Sequence, residues 1–222
     1  MNLVGRIIYD TIVGGMKLYR RLLMDAPVWG RSNIPEGAKI YVSNHITSHE
    51  ILLLTIFPER VHVVVGPACK SRVIARMAAM CDQINAMPSN RRNVVSEAVE
   101  YLRRGGSIFM NPEGDFQETF RLGRFYPGVA RMQRLSGAPI VPIGVLAPRS
   151  RLREYAFTTE VNGRIYRTVA APRGPYCVNI GTAFIPEAIG ETDAERDEAI
   201  LGQIRSRIEA LVEDIRVNRF WL

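Results

Sequence analysis

Short apolar segments alternate with longer helix-like segments along residues 38–146, and this alternation limits the fold more than any other feature of the chain. The predicted strands cover residues 39–43, 61–65, 84–87, 107–110 and 140–146, which are too short for helices. The predicted helices cover residues 48–57, 71–80, 92–103 and 128–135. This pattern predicts an α/β fold with a mostly parallel central sheet flanked by helices, and ligands are expected beyond the carboxyl ends of its strands.

The remaining chain adds a hairpin and a helix at each end. Asn162-Gly163 is a two-residue turn signal between segments 155–161 and 164–170, and residues 176–184 have the pattern of one further strand. Thr192 and Glu195 form a capping-box pattern, which predicts a C-terminal helix. We expect an N-terminal amphipathic helix in residues 1–30 and a single globular domain in residues 31–222.

Charged side chains interrupt the apolar residues 1–24 at Arg6, Asp10, Lys17, Arg20 and Arg21. The segment therefore lacks the run of roughly 18 apolar residues that a spanning helix needs, and it does not resemble a signal peptide. An amphipathic helix with a basic polar face can lie in the lipid headgroup region, but the same pattern suits a helix packed on the domain. Both can hold. The C-terminal residues 219–222, which are Arg-Phe-Trp-Leu, suit a membrane interface or an intramolecular contact.

Lys and Arg outnumber Asp and Glu by 29 to 22, giving a net charge of +7 that favours an anionic partner. The chain shows no helix-turn-helix, RNP-like or aromatic-basic pattern, so nucleic acid is not expected. Its three cysteines lack C-x-x-C spacing, which suggests neither a disulfide framework nor a zinc knuckle and fits a reducing compartment.

The segment from Asn44 to Glu50 joins the first predicted strand to a helix-like segment. His45 is suited to proton transfer near neutral pH, and Glu50 is close enough in sequence to orient its ring. The pattern Thr47-x-x-Glu50 is also a capping box, so Glu50 is equally suited to cap a helix. His45, His49 and Glu50 together allow a metal site, although no zinc-protease spacing is present.

A second segment, Pro112-Glu113-Gly114, follows the predicted strand 107–110 and forms a sharp turn that leaves a carboxylate at the strand end. Carboxyl ends of parallel strands meet at one sheet edge, so His45 and Glu113 are expected around one crevice.

Four blocks, taken in sequence order, resemble the glycerolipid acyltransferase superfamily, which includes the lysophosphatidate acyltransferases. They are Asn44-His45 with Thr47 and the acid Glu50; Asn85-Ala86-Met87-Pro88 followed by Arg91; Phe109 with Pro112-Glu113-Gly114; and Ala138-Pro139-Ile140-Val141-Pro142. The resemblance covers residues 38–185, and the blocks are specific only in combination.

The resemblance implies a one-step acyl transfer in which His45 deprotonates an acceptor hydroxyl while Glu50 orients it. The alkoxide attacks an acyl thioester of coenzyme A or acyl carrier protein, and backbone amides stabilise the oxyanion. The resemblance further implies that Arg91 approaches an acceptor phosphate and that Pro112-Glu113-Gly114 shapes the acceptor site. Neither a metal nor a bound cofactor is expected.

The chain departs from the family pattern in three places. Glu50 replaces the usual aspartate of H-x-x-x-x-D, and Asp115-Phe116 stands where a small residue and then a basic or small polar residue usually follow. The second block lacks a proline that often precedes it, which weakens the phosphate role of Arg91. A simple glycerol phosphate acceptor is therefore not assured, and glycolipid, amino-acid lipid and lysophospholipid acceptors stay open.

Two other functions fit the same residues. One is a membrane-associated acyl thioesterase that uses water as acceptor, and the other is a catalytically inactive lipid-binding relative. Under the acyltransferase interpretation, the partners are a lipid acceptor, acyl-CoA or acyl carrier protein, and a membrane surface containing anionic lipid. The expected location is peripheral, on the cytoplasmic face of the membrane.

Overall fold

The computed structural model describes residues 1–117 and 121–219, without the side chains of residues 154–159, 164, 167 and 168. Phe220, Trp221 and Leu222, for which a membrane or intramolecular contact was considered, lie outside the described residues. The helices are α1 (Leu3–Leu23), α2 (Arg72–Met80), α3 (Val94–Arg103), α4 (Gly128–Ser136) and α5 (Asp193–Asp214). The strands are β1 (Val28–Trp29), β2 (Ile40–Ser43), β3 (Val61–Val65), β4 (Ile84–Asn85), β5 (Ser107–Met110), β6 (Ile140–Leu146), β7 (Arg153–Val161), β8 (Arg164–Ala170) and β9 (Cys177–Ile180). Short 3₁₀ helices cover Arg31–Asn33, Ser48–Thr55, Pro67–Lys70 and Arg149–Arg151, and a π-helical turn covers Ile215–Arg219.

Within the described residues, seven strands form a sheet in the order β1-β9-β6-β2-β5-β3-β4, while β7 and β8 form a separate antiparallel hairpin. Strand β2 lies between β5 and β6 and runs parallel to both. The pair β6 and β9 is antiparallel. The predicted α/β fold with a mostly parallel sheet is confirmed.

Each face of the sheet has its own hydrophobic core, because successive side chains of a strand point to opposite faces. Tyr41 of β2 lies in the core beneath α1 and the 3₁₀ helix Ser48–Thr55. Ile40 and Val42 lie in the core covered by α3, α4 and α5. Both cores are rich in β-branched residues, which suits strands buried on two sides.

Helix α1 packs on the domain through one face and leaves another face exposed. Tyr9 and Val13 are buried, and the Tyr9 hydroxyl accepts the Val61 N–H at 3.1 Å. Arg60 forms a bidentate ion pair with Asp10, at 2.9 and 2.6 Å. Helix α1 therefore packs on the domain, which is one of the two arrangements that the sequence left open. The opposite stripe of α1 is apolar and exposed, and consists of Leu3, Val4, Ile7, Leu18 and Leu22.

The short helix α2 packs against α1 and also exposes apolar side chains. Gly5 of α1 lies against the carbonyl of Met80, so closely that a Cβ on Gly5 would lie 2.1 Å from that oxygen. The exposed apolar side chains of α2 are Val73, Ile74, Met77 and Met80. Across the residues that the structure describes, we find no helix both long enough and apolar enough to span a bilayer.

Three predicted elements differ from those observed. Residues 48–57 form a 3₁₀ helix over Ser48–Thr55, in which the Thr55 hydroxyl donates to the Leu52 carbonyl three residues earlier. The strand predicted at 84–87 ends at Asn85, because the Asn85 side chain accepts the Met87 N–H at 2.9 Å and turns the chain. The strand predicted at 176–184 is shortened to Cys177–Ile180, since Pro142 of the neighbouring strand has no N–H for the next ladder bond.

Candidate active site

Two asparagines join the carboxyl ends of the central strands. The Asn44 side chain exchanges two hydrogen bonds with the backbone of Val145, at 3.0 and 2.8 Å. The Asn111 amide donates to the hydroxyl of Ser43 at 2.8 Å and to the carbonyl of Asn44 at 3.0 Å. These bonds fix the ends of β2, β5 and β6 relative to one another, and His45 emerges from this junction.

His45 and Glu50 form a hydrogen-bonded pair. The His45 Nδ1–H donates to Glu50 Oε2 at 2.6 Å. The Glu50 residue is 1% exposed, whereas 21% of the His45 side chain is accessible. Because the carboxylate can only accept when ionised, this bond assigns the proton to Nδ1 and leaves the Nε2 lone pair as the position that can take a proton.

Glu50 also caps the 3₁₀ helix that follows. Thr47 and Glu50 form a complete capping box, in which the Thr47 N–H donates to both Glu50 oxygens at 3.1 Å. The capping and orienting interpretations of Glu50 are therefore compatible, since one carboxylate does both.

A further donor reaches Glu50 from a distant part of the chain. The Tyr176 hydroxyl donates to Glu50 Oε1 at 2.5 Å, next to the Thr47 hydroxyl, which donates to the same oxygen at 3.0 Å. Tyr176 is fully buried, and burial is the main reason why its pKa is well above the usual value. No local sequence motif predicts this role of Tyr176, because the two residues in contact are 126 positions apart.

Glu113 holds the backbone on both sides of the crevice. Its Oε2 accepts the His45 N–H and its Oε1 accepts the Gly123 N–H, both at 2.6 Å. Burial raises the pKa of Glu113 to about 7, while the two amide bonds oppose that rise. The expected meeting of His45 and Glu113 at one sheet edge is confirmed, and the carboxylate contacts the backbone of His45.

The remaining predicted substrate residues gather around the Pro112–Gly114 turn through Tyr126. The Tyr126 N–H donates to the Pro112 carbonyl at 2.8 Å. Gly114 has a φ of +65°, and a Cβ there would lie 3.3 Å from the Tyr126 ring, so glycine suits both the turn and the contact. The exposed Arg91 guanidinium lies 5.9 Å from the centre of the same ring.

Phe116 covers one side of His45. The centres of the two rings are 4.4 Å apart, at an interplanar angle of 50°. The next residue, Gln117, donates its N–H to the His45 carbonyl at 2.7 Å, which holds the loop against the histidine. One wall of the crevice beside His45 is therefore apolar.

His49 points away from His45 and is engaged elsewhere. Its Nδ1 accepts the Ala171 N–H at 3.2 Å, so its Nε2–H faces the Tyr19 hydroxyl at the same distance. With both nitrogens of His49 occupied, the considered metal site at His45, His49 and Glu50 does not fit this geometry. In residues 1–117 and 121–219 we find no cluster of His, Cys, Asp and Glu side chains suited to a metal.

A protein-family model described as Acyltransferase matches residues 26–146, which is more than half of the chain. The chain belongs to this acyltransferase family. The resemblance to the glycerolipid acyltransferase superfamily is thereby confirmed. No curated protein sequence matches the chain.

The fold of this acyltransferase is similar to a solved crystal structure, that of the 1-acyl-sn-glycerophosphate (LPA) acyltransferase PlsC from Thermotoga maritima. The TM-score is 0.69, the identity is 17%, and the match covers 96% of this chain and 82% of the other. At this identity the similarity concerns the fold alone.

Proposed function

We propose that this acyltransferase moves a fatty acyl group from a thioester to a hydroxyl of a lipid acceptor, with His45 as general base. The observation that carries the proposal is the 2.6 Å bond from His45 Nδ1–H to the buried Glu50 carboxylate. It leaves Nε2 available on a partly accessible ring at the carboxyl end of β2, where α/β proteins bind ligands.

In the proposed reaction, Nε2 takes the acceptor proton as the hydroxyl oxygen attacks the thioester carbonyl carbon. Glu50 stabilises the resulting imidazolium, and backbone amides at the crevice stabilise the oxyanion. Collapse of the tetrahedral intermediate breaks the carbon–sulfur bond, and the imidazolium returns its proton to the departing thiolate. The products are an ester and the free thiol of coenzyme A or acyl carrier protein. The reaction requires neither a metal nor a bound cofactor.

The acceptor site is proposed to lie between His45 and the Pro112–Gly114 turn. Glu113 contributes by holding the backbone of His45 and Gly123, and Gly114 permits the close approach of Tyr126. Arg91, which is exposed beside Tyr126, is proposed to bind an anionic group of the acceptor.

The exposed apolar surface of α1 and α2 is proposed to dock on a membrane that contains anionic lipid, on its cytoplasmic face. Helical periodicity places Arg6, Lys17 and Arg21 along one side of the apolar stripe of α1, and all three are exposed. Helix α2 exposes Arg72 and Arg76 next to its apolar side chains. An apolar stripe with basic borders suits insertion at the headgroup level.

The decisive experiment compares the protein with His45→Ala and with the control His62→Ala. His62 stacks on Tyr101 and is remote from Glu50 in the fold. Each protein is incubated with acyl-CoA or acyl carrier protein and a panel of phosphorylated and unphosphorylated lysolipids, and products are identified by mass spectrometry. We expect an acylated lipid that disappears only in His45→Ala. Thioester loss without an acceptor would instead indicate a thioesterase, and no turnover with either donor would indicate an inactive lipid binder.

A further inference from the structure

Glu50 is a buried carboxylate with both oxygens engaged. Oε2 accepts the His45 Nδ1–H, and Oε1 accepts the hydroxyls of Thr47 and Tyr176. The Thr47 N–H lies 3.1 Å from both oxygens. Burial of a carboxylate is costly unless hydrogen bonds replace its hydration, so this set of donors accounts for the position of Glu50 in the core.

The donors differ in what they fix. Thr47 lies three residues before Glu50, and its bonds are those of the helix cap. The Thr47 N–H contacts both oxygens equally and does not distinguish them, whereas the Thr47 hydroxyl donates to Oε1 at 3.0 Å. The Tyr176 hydroxyl also approaches Oε1, at the shorter distance of 2.5 Å and from a distant part of the chain. The two hydroxyls together hold the carboxylate plane with Oε2 facing the histidine ring, and Tyr176 is the donor that ties this plane to a part of the chain outside the cap.

Tyr176 is itself held firmly. Its N–H donates to the Asp25 carbonyl at 2.8 Å, and its ring lies in the same core as Leu52 and Leu53. Gly174 brings the chain so close to Asp25 that a Cβ there would lie 2.4 Å from the Asp25 nitrogen. The raised pKa of Tyr176 means that the hydroxyl keeps its proton and stays a donor.

We propose that Tyr176 is a positioning residue for acyl transfer, whose hydroxyl orients the Glu50 carboxylate toward His45. The inference rests on the proposed role of His45 as general base. Tyr176 acts through Glu50, since it is buried and contacts the carboxylate on the side opposite to the histidine. Glutamate needs such an anchor more than aspartate does, because its side chain has one more rotatable bond.

The kinetic test is a double-mutant cycle of Tyr176→Phe and Glu50→Gln. We expect Tyr176→Phe to lower kcat roughly 10- to 100-fold with KM unchanged, as for a small misplacement of a catalytic group. In the Glu50→Gln background the same change should have no further effect. An equal fall in kcat in the wild-type and Glu50→Gln backgrounds, or no fall in kcat in either, would overturn the proposal.

The control is Tyr41→Phe, which removes another buried tyrosine hydroxyl bound to a glutamate, at 3.0 Å from Glu59. It lies within β2, away from His45, so we expect a loss of thermal stability with kcat retained. A kcat loss in Tyr41→Phe equal to that in Tyr176→Phe would mean that any lost core hydroxyl has this effect, and would overturn the proposal.

A spectroscopic test does not depend on turnover. In protein with ¹⁵N-labelled histidine, the His45 Nδ1–H proton should resonate far downfield because of its short bond to a carboxylate. We expect that signal to shift and broaden in Tyr176→Phe and to stay unchanged in Tyr41→Phe. An unchanged signal in Tyr176→Phe would overturn the positioning role. By contrast, full activity of His45→Ala would refute the proposed base and leave this NMR result standing.

Discussion

Two buried glutamates hold His45 from different sides. Glu50 binds the ring through Nδ1, and Glu113 binds the backbone N–H of the same residue. The orientation of the His45 ring and the position of its main chain are thus fixed by separate carboxylates.

We expect Glu113 to make the protein less stable as the pH rises from about 4.5 to about 7. Its folded-state pKa is raised from 4.5 to about 7, mainly by burial. The folded state therefore binds more protons than the unfolded state in that window, and the free energy of unfolding falls as the pH increases. The contribution amounts to about 3 kcal/mol across the window, and urea unfolding at several pH values measures it.

The matched variant for this measurement is Glu113→Gln, which cannot titrate. His49 and His62, whose pKa values are lowered by burial, change stability in the opposite sense. Only the difference between the two proteins therefore isolates Glu113. We expect the stability advantage of the wild-type protein over the variant to shrink as the pH rises, and a constant difference would contradict the prediction.

Phe116 is expected to set the acceptor preference, because its ring forms an apolar wall 4.4 Å from the ring of His45. In Phe116→Arg, a cation beside His45 should raise the ratio of kcat/KM for lysophosphatidic acid to kcat/KM for monoacylglycerol by about tenfold. This is the gain expected from one charge-assisted hydrogen bond to the phosphate. Phe116→Leu serves as the control, since it keeps the wall apolar. An equal change of preference in both variants would show that loss of the ring, and not the added charge, is responsible.

At the scale of elements, the positions of the strand-to-loop junctions were predictable. The long-range contacts that hold the site residues in place at these junctions were not. The patterns placed His45 and Glu113 at one sheet edge because hydrophobic runs define where buried strands end. The 3₁₀ form of the helix after Thr47 was not predictable, since the unbroken apolar run of residues 51–54 carries no periodicity that separates it from an α-helix. The contacts of Tyr176 with Glu50 and of Phe116 with His45 were not predictable either, because they arise only from long-range packing, although Phe116 stood out as a departure from the family pattern.

His49 connects three elements and provides an element-scale prediction. It links α1, through Tyr19, to the chain just after β8, where Ala171 donates to its Nδ1. Burial lowers the pKa of His49, so its stabilising contribution is complete above the ordinary value of 6.5 and is lost as the pH falls below it. We expect the hydrogen-exchange protection factor of the Ala171 amide to decrease between pH 7.5 and pH 5.5.

The control for this experiment is His49→Gln, whose side-chain oxygen can still accept the Ala171 N–H but does not titrate in this range. In this variant the protection factor should be the same at both pH values. An equally large decrease in wild-type and variant protein would assign the change to another group.

At the scale of the whole molecule, α1 and α2 contact each other, and each exposes apolar side chains. The Asp10–Arg60 ion pair and the Tyr9 contact fix α1 against the domain, and Gly5 fixes it against the end of α2. A membrane would therefore meet a rigid surface made by two helices, and the orientation of the sheet relative to the bilayer would follow from it.

We expect the protein to bind vesicles that contain anionic phosphatidylglycerol. Binding should weaken as salt is added, because the Debye screening length falls from about 8 Å at 0.15 M to about 3 Å at 1 M ionic strength. Ile7→Asp in α1 and Val73→Asp in α2 should each reduce binding roughly tenfold, since each removes apolar insertion and adds a negative charge. Sedimentation with vesicles measures both effects.

Ile185→Asp is the matched control, because Ile185 is 67% exposed and follows Phe184, which pairs with Ile140 at the start of β6. That position is at the sheet edge opposite to His45. Equal losses in all three variants would show that the effect is nonspecific and would refute docking through α1 and α2.

The position of β9 in the sheet has a consequence for synthesis on the ribosome. Strand β1, an early part of the chain, pairs with β9, and the Asn33 side chain donates to the Ile180 carbonyl at 2.8 Å. Tyr176, which binds Glu50, immediately precedes β9. During synthesis, His45 and Glu50 are therefore made long before Tyr176, which binds Glu50, and before β9, which pairs with β1. We expect the hydrogen bonding of Glu50 to be completed only late in translation, so that chains that stall before residue 176 expose an unfinished site.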